Sequence, residues 1–220
     1  MKAIRIGDIA PDFKAQTTVG ELCFHEWLED SWGILLSFPS DFTPVCTTEM
    51  GTLAEYEIEF TARHTKVIAL SIDHLETHKK WVNDINELYN VDIEFPIIAD
   101  EDRSISQRYG MIHSNDTTNA TVRSLFIIDP KKKVRLILTY PVSTGWNFYE
   151  IIRVLDSLQL TAHQHLATPA NWELGDDLVI LPSISNTEAV ALFPNGIKEI
   201  KPYLRLTPQV FDDDHLVASF

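Results

Sequence analysis

Two short runs constrain this chain more than any other feature. Gly33-Ile34-Leu35-Leu36-Ser37-Phe38 and Lys66-Val67-Ile68-Ala69-Leu70-Ser71-Ile72 are almost continuously apolar. A strand with one wet face alternates apolar and polar residues, whereas a run that is apolar on both sides needs cover on both sides. Such strands belong to a sheet packed between helices. Helical spacing follows each run. Met50, Leu53, Tyr56 and Phe60 predict a helix within residues 46–63, and Trp81, Ile85 and Leu88 predict a second. Phe95-Pro96-Ile97-Ile98-Ala99 reads as a short strand, and residues 104–109 read as a short helix ended by Gly110. Residues 122–128 and 134–140 form a hairpin across Asp129-Pro130-Lys131-Lys132-Lys133. In 147–160, Phe148, Ile151, Ile152, Leu155 and Leu158 share one face of an amphipathic helix. Two extended pieces, Ile9 to Phe13 and Leu22 to Phe24, precede all of this, with a turn at Val19-Gly20. The fold class is therefore α/β, a mixed sheet flanked by helices.

The pattern changes after Thr161, where Pro169, Pro182, Pro194, Pro202 and Pro208 interrupt short helical runs. Residues 1–161 read as the main domain and 162–220 as a small C-terminal one that ends in an acidic tail with Asp212-Asp213-Asp214. A length of 220 residues suits that division. The 18 Lys and Arg against 32 Asp and Glu give a net charge of −14. That balance argues against nucleic acid, whose phosphates call for a basic face, and against an anionic membrane surface. No stretch approaches the roughly 20 apolar residues that span a bilayer, and the first dozen residues carry charges where a secretory signal needs an apolar run. The chain reads as cytoplasmic. Its 2 cysteines, Cys23 and Cys46, are too few for a disulfide scaffold. They leave a single disulfide, inert burial, or a reactive thiol.

The stretch Phe38-Pro39-Ser40-Asp41-Phe42-Thr43-Pro44-Val45-Cys46-Thr47-Thr48-Glu49 favours the last of these. A buried strand ends at Pro39, a loop stiffened by two prolines follows, and Cys46 lies where the next helix begins. Unpaired N–H groups and the positive end of the helix dipole gather there, and both stabilise a thiolate. The expectation is a Cys46 pKa below the ordinary value of about 8.5. Thr43, three residues earlier, brings a hydroxyl that can donate or accept.

Pro39-x-x-x-Thr43-x-x-Cys46 resembles the active-site signature of the peroxiredoxins, and Phe42 to Glu49 is similar to their 1-Cys subgroup. The likeness continues through Phe24 to Leu28, Asp30 to Gly33, Phe95 to Ile98, Ser157 to Thr161, Ala167 to Trp172 and Leu204 to Pro208. It implies a thioredoxin-like fold, a C-terminal domain used in homodimerisation, and reduction of hydrogen peroxide or alkyl hydroperoxides at Cys46. It also implies an arginine on the strand after the short helix, and Arg123 matches that place. In this reading Cys46, Thr43, Arg123 and Pro39 are catalytic, and Val45 and Glu49 bind substrate. Cys46 cycles through a sulfenic acid that an external thiol, glutathione or a thioredoxin-like protein, reduces. No metal or cofactor is implied.

Two positions depart from the resemblance. Phe38 stands where the subgroup usually has histidine, and Trp146 stands where the family usually has a second arginine directed at the helix glutamate, here Glu49. The second departure predicts a less acidic thiol and slower turnover. Cys23 lies outside the usual resolving position, which favours a 1-Cys cycle. His25 and Ser31 match two positions of a phospholipase triad described for some 1-Cys members. The third position holds Lys131, with Asp129 two residues away, so a structural hydrogen bond and a turn are the preferred readings. His74 and His78, four apart, could share a helix face as metal ligands, but a solvated face is favoured. Against the peroxidase stands a non-enzymatic sensor or holdase built on the same Cys46.

Overall fold

The computed structural model describes residues 3–113, 120–162 and 165–210. The expected acidic tail lies outside the described residues. In chain order the elements are β1 (Lys14–Thr17), β2 (Gly20–Cys23), α1 (Phe24–Leu28), β3 (Trp32–Ser37), α2 (Pro44–Glu55), α3 (Glu57–Ala62), β4 (Thr65–Ser71), α4 (Leu75–Tyr89), β5 (Ile97–Ala99), α5 (Ser104–Arg108), β6 (Arg123–Ile128), β7 (Val134–Tyr140), α6 (Phe148–Thr161), β8 (Leu166–Ala167), β9 (Leu178–Ile180), α7 (Asn186–Leu192), β10 (Lys198–Lys201) and β11 (Leu204–Thr207).

Contacts divide the chain into two compact units, Met1–Phe148 and Tyr149–Phe220. Among the described residues, the first carries a seven-stranded sheet in the order β2-β1-β5-β4-β3-β6-β7. The two apolar runs are its adjacent central strands, β3 and β4, paired in parallel. Every residue of β3 is buried, as cover on both faces requires. On one side β4 pairs β5 in parallel, and on the other β3 pairs β6 antiparallel, with Leu36 opposite Leu125. β1 pairs β5 antiparallel and carries β2, the edge strand, in a hairpin.

Local departures from the sequence reading have physical causes. The helix expected over 46–63 is two helices, α2 and α3, that meet at Tyr56 (φ −91°, ψ 0°). Leu88 is 69% exposed, so the covered face of α4 is His78, Trp81 and Ile85. The helix stops at Asn90 in the left-handed region. His78 is not on a solvated face but fully buried.

Within the second unit, β8 to β11 form a four-stranded antiparallel sheet in the order β10-β11-β9-β8. Leu160, Leu166, Trp172, Leu178, Ile180, Ile184 and Ala189 make its core. A capping box starts α7: the Ser185 hydroxyl accepts from the Glu188 amide, and the Ser185 amide donates to the Glu188 carboxylate.

Candidate active site

Parallel strands leave a crevice beyond their carboxyl ends, and loops there carry chemistry. The loop after β3 is the stretch from Pro39 to Thr43. Thr43 is the N-cap of α2 with extended torsions (φ −103°, ψ 145°), and Pro44 takes the first helical position, where a missing N–H costs nothing. Cys46 therefore lies in the first turn, where backbone N–H groups have no helical acceptor. Glu49, three residues on, falls on the same face of α2.

The β3–β6 register brings in the counter-charge. Leu36 opposes Leu125, so continuing the ladder two residues sets Arg123 beside Phe38, at the end of β3 next to the loop. Arg123 is 1% exposed, and all three of its nitrogens are engaged. Nη2 donates to Cys46 Sγ at 3.2 Å, Nε to Glu49 Oε1 at 2.8 Å, and Nη1 to the Val142 carbonyl at 2.6 Å. This planar fork meets three acceptors in different directions, which a lysine ammonium does not reproduce.

The loop is fixed from below. The Thr43 hydroxyl donates to the Ser40 carbonyl (2.8 Å). Asp73 accepts from the Ser40 hydroxyl (3.2 Å) and the Asp41 amide (2.9 Å). His78 Nδ1 lies 2.9 Å from both Asp41 carboxyl oxygens, and its Nε2 lies 3.1 Å from the Ile98 carbonyl. A carbonyl only accepts, so Nε2 carries hydrogen. Trp81 Nε1 donates to the Thr47 hydroxyl (3.2 Å), which donates to the Thr43 carbonyl (2.8 Å). These ties hold Phe42 in the left-handed region (φ 53°), a conformation costly for a side chain with Cβ.

Electrostatically the site differs from the expectation. Cys46 is 1% exposed, and that burial pushes its thiol above the ordinary value. The Thr43 hydroxyl, the Ser40 backbone and the Arg123 guanidinium oppose the rise, while Glu49 adds to it. The helix terminus and the arginine are present as the sequence suggested, but desolvation of the sulfur outweighs them. Burial also raises the Glu49 carboxyl, against Arg123 and the Trp146 amide. That amide donates to Glu49 Oε1 (3.1 Å), and the Trp146 ring packs on Tyr140 (centroids 4.7 Å apart). Among the described residues Arg123 is the one basic side chain bonded to Cys46 or Glu49. Glu49 Oε2 and Trp146 Nε1 are buried with no hydrogen-bond partner.

The structure thus joins Cys46 and Glu49 through Arg123, with Thr43 capping the helix turn that carries Val45 and Cys46 and Pro39 buried at the base of the loop. Residues 6–137 match the AhpC/TSA family, and residues 157–196 match the C-terminal domain of 1-Cys peroxiredoxin. The chain belongs to the peroxiredoxins, in their 1-Cys branch. The 1-Cys peroxiredoxin of Dictyostelium discoideum is 50% identical over 206 residues, covering 94% of this chain and 86% of that one. A solved structure of the yeast mitochondrial 1-Cys peroxiredoxin superposes with a TM-score of 0.88 at 49% identity, over 94% of this chain and all of the other. A cysteine-to-serine mutant of peroxiredoxin 6 from Arenicola marina superposes at 0.90 with 46% identity, over 96% of this chain and all of that one. The fold is the thioredoxin-like one of these peroxiredoxins, with a separate small sheet in the C-terminal domain. This 1-Cys peroxiredoxin is a thiol-dependent peroxidase.

Other candidates sort differently. His25 Nε2 bonds the Ala10 carbonyl (2.8 Å), Ser31 Oγ lies 3.5 Å from His64, and Asp129 binds the Lys133 amide and Arg135. Each of the three has its own partners, and they bond none of one another. His74 pairs Glu101 and His78 pairs Asp41, so the two histidines face different groups. Cys23 is half-buried, and it and Cys46 are both free thiols. Sequence reasoning missed the clamp formed by Asp41, Asp73 and His78. Its signal was the i, i+3, i+7 spacing of His78, Trp81 and Ile85 on one covered face.

Proposed function

We propose that Cys46 is the thiol that attacks peroxide, with Arg123, Thr43 and the backbone N–H groups at Val45 and Cys46 holding the peroxide oxygens. The observation that carries this is the 3.2 Å contact from Arg123 to Cys46 Sγ at a buried helix start. The Cys46 thiolate attacks one peroxide oxygen, the O–O bond breaks, and water or an alcohol departs. N–H donors aimed at the reaction line stabilise charge as it moves onto the leaving oxygen. Pro39 supports the loop by fixing a torsion at its base, and Glu49 orients the Arg123 fork. Cys46 becomes a sulfenic acid, and excess peroxide carries it to the sulfinic acid.

Reduction falls to an external thiol. The yeast relative is described as resolved through glutathione and thioredoxin systems, and either suits a chain whose second cysteine is half-buried away from the loop. The second unit, Tyr149–Phe220, serves a homodimer, and the protein works in the cytoplasm. No helix among the described residues is long and apolar enough to cross a membrane.

Peroxide consumption by wild type, Cys46→Ser and Cys23→Ser, with glutathione, thioredoxin and ascorbate supplied in turn, tests the assignment. Wild type and Cys23→Ser turn over with a thiol reductant and Cys46→Ser does not. Turnover by Cys46→Ser removes the assignment.

A further inference from the structure

We propose that Cys46 and Glu49 share one proton across Arg123, so that Glu49 holds the proton the thiol releases before peroxide attack. The proposal rests on Cys46 being the reacting thiol and concerns where its proton goes.

Charge counting leads there. Arg123, Glu49 and Cys46 are 1%, 3% and 1% exposed. One guanidinium touches two acids, at 2.8 Å through Nε and 3.2 Å through Nη2. Thiol with carboxylate leaves the trio neutral. Thiolate with carboxylic acid leaves it neutral too. Thiolate with carboxylate places an unmatched negative charge in a dry site, which is strongly unfavourable. Among the described residues no second cation relieves it, because Trp146 meets Glu49 through its backbone amide. Among the described residues, the buried and half-buried acids near this end of the sheet have partners of their own: Asp41 has His78, Asp73 has the Asp41 amide and two serine hydroxyls, and Asp100 has the Ile105 and Ser106 amides. From β7, Tyr140 presents its ring to Trp146.

The carboxyl group shows where the proton would sit. Oε1 accepts from both Arg123 and Trp146, whereas Oε2 is buried and bare. A proton on Oε2 cancels the charge without breaking either bond to Oε1. In the step, the Cys46 S–H bond breaks and an O–H bond forms at Oε2, with no change of oxidation state. The thiolate then attacks peroxide, sulfur is oxidised and the peroxide oxygen reduced. The stored proton ends on the departing water or alcohol, and Glu49 is again a carboxylate. Burial raises the proton affinity of both groups, which favours keeping one proton between them.

Two acids that share one cation titrate as a pair. The pH profile of Cys46 alkylation in wild type should therefore rise in two steps, separated by a plateau through neutral pH where the rate changes less than about twofold. Glu49→Gln, which has no proton to share, should give one step. A wild-type profile in one step that overlays Glu49→Gln overturns the proposal. Infrared spectra provide a second readout that needs no change at Glu49. At neutral pH wild type should show a protonated-carboxyl band that Cys46→Ser lacks, since Arg123 then faces Glu49 alone. Identical carboxyl regions overturn the proposal. If Cys46→Ser still consumes peroxide, the assignment of Cys46 itself fails. If Cys46→Ser is inactive but wild type also lacks the band, only proton sharing fails.

Discussion

Replacing Arg123 by lysine keeps the charge and discards the fork, which isolates what geometry contributes. In the native site the guanidinium reaches Cys46 Sγ, Glu49 Oε1 and the Val142 carbonyl with three different nitrogens. An ammonium is one point, and it is drawn to the carboxylate. Its distance from the sulfur then grows from 3.2 Å to about 5.5 Å, and at an effective dielectric of about 20 the attraction for a thiolate falls from about 5 to about 3 kcal/mol. A loss of about 2 kcal/mol is roughly 1.5 pKa units, or about a 30-fold drop in thiolate at neutral pH. The assay is the second-order rate of Cys46 alkylation at neutral pH, read beside the urea midpoint. Arg123→Lys should alkylate about 30-fold more slowly while unfolding as one transition. Arg123→Met should in addition lose about 3–5 kcal/mol of stability, because Glu49 is left buried and uncompensated. An alkylation rate within threefold of wild type for Arg123→Lys would refute the reasoning, since charge alone would then suffice.

Trp146→Arg supplies a donor to the bare Glu49 Oε2 and a second cation to the site, so Cys46 should become more acidic by at least about one pKa unit, seen as an approximately tenfold faster alkylation at neutral pH. Because Glu49 has a raised folded pKa, its contribution to stability is fully present below the ordinary carboxyl value of 4.5 and is lost as pH rises through the folded value. The stability of wild type relative to Glu49→Gln should therefore fall as pH climbs from that value toward neutrality, measured by urea midpoints. In the second unit, Trp172 is 1% exposed at the centre of its core, and Trp172→Ala should cost about 3–5 kcal/mol by denaturant unfolding.

The apolar runs that became β3 and β4 were legible because a strand covered on both faces leaves an unbroken signature. The loop from Pro39 to Cys46 was legible for a similar reason: prolines and a helix start are local features. The break at Tyr56 was not, since Met50, Leu53, Tyr56 and Phe60 keep helical spacing straight through it. Arg123 came from family resemblance rather than from periodicity, because its place beside Cys46 depends on the register of two strands about ninety residues apart in sequence. The burial of Cys46, which reverses the expected direction of its pKa, also depends on long-range packing. The short strands β8 to β11 were hidden by the prolines between them, which advertise turns more strongly than two- to four-residue strands advertise pairing.

The most direct test of the account is to treat the reduced protein with less than one equivalent of hydrogen peroxide, trap sulfenic acid with a 1,3-dione, and map the adduct by mass spectrometry. Cys46 should carry the adduct and Cys23 should not, with the yield tracking the peroxide consumed. An adduct confined to Cys23, or peroxide consumed with Cys46 still a thiol, would contradict it.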